Sequence, residues 1–150
     1  MNKIWLEHYQ EGVPSEINPN AYSSLVDLFQ KCCEQFANNP ALGNLGVRLT
    51  YRQLYQSSQA FAAYLQQELD MKKGDRFAIM LPNLLQYPVV LFGALMAGLI
   101  VVNVNPLYTA TELLHQLANA EAEGIIVLAN FAHVVQEVMA KTKLKHVIVT

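Results

Sequence analysis

Charge is missing from the middle of this chain. From Phe77 to Thr111 there is no Asp, Glu, Lys or Arg, an uncharged run of 35 residues. A membrane span needs about 20 consecutive apolar residues, and the punctuation of the run argues against one. Pro82-Asn83 interrupts it after Phe-Ala-Ile-Met-Leu, and Gln86 and Pro88 follow within two helical turns, leaving only Val89 to Val102 unbroken. The alternative is a strand–helix–strand unit buried in a globular domain. Phe77 to Leu81 and Leu99 to Val102 are continuous apolar runs of strand length, as expected of parallel strands covered on both faces. Between them Asn83 is the expected cap, Pro88 fits the first turn of a helix starting near Tyr87, and Gly98 is the expected left-handed stop.

Other things are scarce too. Cysteine occurs only as the adjacent pair Cys32 and Cys33, which makes a poor structural bridge, and nothing points to an oxidising compartment. The opening stretch carries Lys3, Glu7 and Glu11 and no apolar core, so it does not read as a signal peptide. An excess of basic charge is absent: the net charge is −2 and the pI about 6, which gives no electrostatic reason to expect nucleic acid as a partner. Charged residues make up 15% and apolar ones 53%, against about 25% charged in an average soluble domain. Such a balance suits part of a larger protein, and the cytoplasm is the expected location.

Catalytic motifs are also lacking. Gly93 and Gly98 have the spacing of a phosphate loop, but Leu99-Ile100 stand where Lys and Ser/Thr are needed, so tight packing and a helix stop explain them better. There is no G-x-G-x-x-G, G-x-S-x-G or H-E-x-x-H. His8, His115, His133 and His146 lie on separate segments without ligand spacing, and Asp27, Asp70 and Asp75 form no carboxylate pair. Lys72-Lys73-Gly74-Asp75 reads as a solvated turn rather than a phosphate site.

What is present is an alternation of strands and helices. Residues 1–22 form an extended, proline-punctuated lead-in, with Trp5 and Tyr9 spaced to pin a short helical turn to the body. Leu25, Leu28, Phe29, Cys32 and Phe36 make the apolar stripe of a first helix, capped by Ser23 or Ser24 and stopped at Asn38-Asn39-Pro40. In that stripe Cys32 is the small core residue rather than a nucleophile. Ala41-Leu42 and Val47-Arg48-Leu49, joined by Gly43 to Gly46, read as a hairpin. Thr50 with Gln53 and Thr109 with Glu112 are capping boxes opening further helices. The first of these helices carries Leu54, Phe61, Leu65 and Leu69 inward, with Ser57 and Ser58 allowing close contact. The second turns Leu113, Leu114 and Leu117 inward. Gly124 leads into an apolar strand, Ile-Ile-Val-Leu-Ala, and Asn130 is the expected cap of a helix with Phe131, Val134, Val135, Val138 and Met139 inward. His146 to Thr150 is a last strand. Crossovers of ten or more residues between strands mean a parallel α/β sheet. The residues alone leave the functional site unidentified.

Three stretches carry a family resemblance. Leu49 to Leu54 (LTYRQL) resembles the first core motif of the acyl-adenylate-forming, AMP-binding enzyme superfamily. Gly74 to Asn83 resembles its next strand and turn, and Leu95 to Thr109 its second core motif. The wording of Ala63 to Gln67, Pro82 to Val89, Val101 to Thr109 and Asn130-Phe131-Ala132-His133 is similar to the bacterial long-chain-fatty-acid–CoA ligases within it. The resemblance covers essentially all 150 residues. It implies the N-terminal portion of the large adenylate-forming domain, a mostly parallel sheet with flanking helices and a short N-terminal β-hairpin. Residues 23–150 would then be an incomplete α/β subdomain.

The implied reaction has two steps: a fatty acid carboxylate attacks the α-phosphate of ATP, and coenzyme A then displaces AMP. ATP, Mg²⁺ and coenzyme A are the implied cofactors and substrates of the parent enzyme. Its implied partners are a long-chain fatty acid and the rest of the adenylation domain, with a homodimer and peripheral inner-membrane contact left open and no transmembrane span. The family's Ser/Thr/Gly-rich phosphate loop, acidic adenylate motif and C-terminal lysine have no counterpart here, so no catalytic, cofactor-binding or metal-binding residue is assigned. Two alternatives stay open: another adenylate-forming enzyme such as a medium-chain acyl-CoA ligase, and a non-catalytic stand-alone α/β binding module.

Overall fold

The computed structural model describes residues 3–150. A short 3-10 turn at Ile4–His8 opens the lead-in. Trp5 and Tyr9 stay about half exposed and that turn buries nothing, so they do not pin it to the body. The first two lead-in residues lie outside the described residues.

Helix α1 (Leu25–Gln35) starts where Ser24 accepts from the Asp27 N–H while the Ser23 N–H donates to the Asp27 carboxylate. The helix is rotated from the expected stripe. Phe29 and Cys33 are buried, Cys32 is half-buried, and Leu25 and Phe36 are exposed. Only one side of this short helix meets α2 and α3, so three- and four-residue spacing misjudged which edge of the stripe turns inward. Strands β1 (Pro40–Asn44) and β2 (Val47–Thr50) pair antiparallel across a two-residue turn at Leu45-Gly46, both with positive φ. That turn matches strand twist, which is why the connection is shorter than the expected four residues.

Helix α2 (Tyr51–Gln67) begins at the Thr50–Gln53 capping box, formed as expected. Then come β3 (Arg76–Met80), α3 (Gln86–Met96), β4 (Ile100–Asn103), α4 (Ala110–Ala120, opened by the Thr109–Glu112 box), β5 (Gly124–Val127), α5 (Ala132–Met139) and β6 (His146–Val149). The four later strands form one parallel sheet in the order β4-β3-β5-β6. Alternate residues of β3 serve opposite layers. Phe77 and Ile79 pack with Ala62, Leu65, Val90 and Ala94 of α2 and α3. Ala78 and Met80 pack with Leu113 and Leu117 of α4 and Val135 and Val138 of α5. Burial on both faces explains the continuous apolar reading of β3 and β5, whereas β4, expected to be covered on both faces, lies at the sheet edge and leaves Ile100 52% exposed. A third cluster joins Phe29, Cys33 and Leu54, with the Phe29 and Phe92 rings stacked 3.7 Å apart.

The uncharged run is therefore a βαβ unit. Among the described residues no helix is long and apolar enough to cross a membrane. Gly98 has φ +80, the left-handed stop expected of it. Two expected caps are not made. Asn83 lies ahead of the helix and lends its carbonyl to the Asn44 side chain at 3.2 Å, while Leu84 and Tyr87 wind into α3 through turns. Asn130 sits inside a 3-10 turn (Ala129–Phe131) feeding α5, whose cap position is Phe131. In both places a preceding turn takes up the position where a capping side chain would act. Met139, expected inward, is 46% exposed at the end of α5, beyond the reach of the sheet.

Candidate functional site

In open parallel sheets, ligands bind outside the carboxyl ends of the strands where the strand order reverses. Here the chain leaves β3 toward β4 on one side and returns to β5 on the other, so the reversal lies between β3 and β5. The carboxyl edge is built by Leu81 to Leu85 after β3, Val104 to Thr109 after β4, Leu128 to Phe131 after β5 and Thr150 after β6. Helices α1, α2 and α4 begin on side-chain caps from Ser24, Thr50 and Thr109, whereas α3 and α5, which flank the reversal, begin without one. Their first N–H groups thus face the edge without a side-chain acceptor.

Apart from Glu112 in its cap, the side chains paired at this edge are neutral. Tyr87 Oη donates to Asn103 Oδ1 at 2.8 Å, and Gln116 Nε2 donates to the Asn103 carbonyl at 2.8 Å. Sequence reading missed this chain of contacts, since its members lie 16 and 13 positions apart with no periodic link. Charge instead collects at the opposite edge. Glu121 pairs with Lys143 and Arg76, and Glu123 with Lys145. The Lys143 hydrogen bond and charge, with help from Arg76, hold the Glu121 carboxyl below its ordinary value, and Glu123 raises the Lys145 ammonium. These groups are solvated, so the pairs contribute little to stability.

Each residue weighed from sequence has a structural place. A Cβ on Gly93 would stand 2.9 Å from both Phe61 Cδ1 and the Ser58 carbonyl, so this glycine exists for the α2–α3 contact. The Lys72–Asp75 turn is closed by Asp75 accepting the Lys72 N–H at 2.7 Å, with Gly74 at φ +96. Burial pushes the Cys33 thiol up to about 11, with the neighbouring Cys32 and Glu34 adding to it, which makes it a poor nucleophile. Among the described residues no group of three or more His, Cys, Asp or Glu could hold a metal ion. Glu112 is engaged by the Thr109 N–H and hydroxyl, which hold its carboxyl below the ordinary value.

Two of the hollows that border the edge differ in character. An apolar cleft of about 390 Å³ lies between α2, α3 and β6, lined by Leu49, Phe61, Val89, Ile126, Ile148 and Val149 among others. A shallower polar one of about 610 Å³ is lined by Tyr108, Glu112, His115, Gln116 and Asn119. No titratable side chain lines the first, and in the second Glu112 is taken up by its cap beside His115.

Comparison with known proteins supplies what the geometry lacks. The family model described as AMP-binding enzyme matches residues 29–150. The chain is 57% identical over all 150 residues to the long-chain-fatty-acid–CoA ligase of Salmonella typhimurium, covering 27% of that protein. It is 37% identical over 126 residues to the ligase of the same description from Bacillus subtilis, covering 84% of this chain and 22% of that protein. Among solved structures, a long-chain-fatty-acid-CoA ligase from Archaeoglobus fulgidus superposes with a TM-score of 0.81 at 22% identity, over 95% of this chain and 30% of that one. An anthranilate CoA ligase in complex with anthranoyl-AMP gives the same score and identity over 86% of this chain and 25% of that one. These superpositions show the fold: the parallel sheet and hairpin are those of the N-terminal region of adenylate-forming ligases.

Proposed function

The chain belongs to the AMP-binding enzyme family, and from that premise we propose that it is the N-terminal part of an ATP-dependent long-chain fatty acid–CoA ligase. The observation that carries this reading is the 57% identity sustained over all 150 residues. The chain spans about a quarter of the length of the curated relatives it matches. The activity proposed is that of the whole protein: a fatty acid is activated as its acyl-adenylate, and the acyl group passes to coenzyme A.

Within that protein, residues 23–150 serve as part of the adenylation domain's scaffold, and residues 1–22 lead into it. The catalytic and nucleotide-binding groups lie outside these residues. Support comes from a carboxyl edge whose acidic group, Glu112, is committed to its cap, and from the absence of any phosphate-loop lysine in the sequence. Mg²⁺ is the metal proposed for the reaction, but the donors at this edge are amides and hydroxyls, and Glu112 is already committed to its cap. They do not fit a hard cation that favours carboxylate and phosphate oxygens, so no step is routed through it here. The chain's own contribution is to hold the β3–β5 reversal rigid from both helical layers. We place the protein in the cytoplasm, with a homodimer and peripheral membrane contact as further proposals. The partition of long-chain fatty acids into bilayers supports such contact.

The test is ATP–pyrophosphate exchange by the full-length protein, followed by acyl-CoA formation. Exchange driven by palmitate or oleate, with thioester formed on adding coenzyme A, is expected. Exchange driven only by octanoate would move the assignment to a medium-chain ligase. None with any carboxylic acid would overturn it.

A further inference from the structure

Alternate residues of a parallel strand address the same neighbour, and β6 has only one neighbour to address. The His146 N–H donates to the Glu123 carbonyl at 3.2 Å and the Thr150 N–H to the Val127 carbonyl at 3.1 Å. The N–H and C=O groups of Val147 and Val149 are therefore turned away from β5. β6 stands at the end of the sheet, and among the described residues nothing bonds to those groups. The opposite edge differs, because there the outward Asn103 carbonyl takes the Gln116 side-chain amide at 2.8 Å. Nor does β6 carry the usual guards of an open edge, a lysine, a proline or a bulge: it reads His-Val-Ile-Val in unbroken register. Its side chains are apolar on both faces. Ile148 packs with the α2–α3 layer and opens onto the apolar cleft described above. Val147 and Val149, on the other face by strand alternation, are 37% and 54% exposed.

We propose that the open edge of β6 is the docking surface for the part of this chain that follows Thr150: a strand from that part pairs with Val147 and Val149, lays apolar residues over the cleft and extends the sheet past β6. The inference rests on the reading above that these residues are the N-terminal part of a protein several times longer. An edge that presents donors and acceptors at every second residue fits a polypeptide strand, whereas a fatty acyl chain supplies neither. A second copy would have to meet it through a strand of four residues. The remainder of the same chain is tethered at Thr150, which itself lines the cleft, and so acts at an effective concentration on the order of millimolar.

The experiment is amide hydrogen exchange on the full-length protein, resolved to single residues, with palmitate-driven pyrophosphate exchange measured on the same preparation. The Val147 and Val149 amides are expected to exchange at least about a hundredfold more slowly than those of an unstructured chain. That protection should be present without palmitate and persist at dilutions where the protein is monomeric. A photoreactive benzophenone amino acid in place of Val149 should, on irradiation, join β6 to a segment beyond Thr150 of the same chain. Should that variant fail to fold, exchange in the unmodified protein carries the test. Unprotected amides would overturn the proposal. So would protection lost on dilution or a cross-link to another copy, which would make a second copy the occupant, and protection appearing only with palmitate, which would make it the fatty acid. An active ligase with unprotected amides removes this inference alone, whereas a protected edge in a protein silent with every carboxylic acid removes the ligase reading and leaves the docking surface standing.

Discussion

Alanine in place of a helical glycine ordinarily stabilises a protein, and at Gly93 it should do the opposite. Gly93 lies inside α3, where the exchange improves intrinsic helix propensity by about 1 kcal/mol. Against this stands the contact with α2. The new Cβ would lie 2.9 Å from Phe61 Cδ1, 3.1 Å from Phe61 Cβ and 2.9 Å from the Ser58 carbonyl oxygen. The ring can swing aside, but the carbonyl is fixed in its helix and Ser58 is fully buried. The helices must therefore part by some tenths of an ångström, loosening Ala62, Leu65, Val90 and Ala94 over the sheet. Overpacking of this kind costs about 1–3 kcal/mol, and because the nearest contact is backbone the upper half of that range applies, so the net effect is a loss of up to about 2 kcal/mol. Thermal denaturation of the full-length protein should show a midpoint lower by a few degrees. Adding Phe61→Leu should recover the part due to the ring and not the part due to the carbonyl, a coupling that a double-mutant cycle measures. A Gly93→Ala midpoint at or above wild type would refute the reasoning, because propensity alone would then be deciding the outcome.

Gly98→Val should lower the midpoint by an amount corresponding to about 1–3 kcal/mol, since a β-branched residue is strained at φ +80; an unchanged midpoint would contradict the helix stop. Thr109→Ala should cost about 1 kcal/mol at neutral pH. The Glu112 carboxyl is lowered in the folded state, so its contribution is present above the ordinary carboxylate range and fades as pH falls through the lowered value. The penalty of Thr109→Ala should therefore shrink in acid, and midpoints of both proteins across that range check it. Iodoacetamide at mildly alkaline pH should label half-buried Cys32 before Cys33, whose thiol is pushed up to about 11; peptide mass mapping with the reverse order would show α1 turned the other way.

Fold class was legible wherever a signal is local or repeats with a short period. Phe77 to Met80 and Ile125 to Val127 read as buried parallel strands because each stacks apolar side chains on both faces. Thr50-Gln53 and Thr109-Glu112 gave two helix starts because a capping box closes within four residues. Asn83 and Asn130 misled for the complementary reason: a capping residue type says nothing about whether a turn already occupies the place where it would act. Cys33 was hidden because the burial of α1 depends on where Phe92 lies on a helix some sixty positions away. The link of Tyr87 to Asn103 and Gln116 is tertiary in the same sense. Its members share the carboxyl edge only once β4 has paired with β3. The family was read from wording rather than chemistry, since the residues of this stretch hold the frame.

The claim that these residues are scaffold rests most directly on one assay, fatty-acid-dependent ATP–pyrophosphate exchange by residues 1–150 alone beside the same chain extended through the rest of the protein. Exchange by the extended protein, with the shorter one no better than its heat-killed control, is the predicted result. Exchange by residues 1–150 alone would place catalytic groups between Met1 and Thr150 and contradict the account.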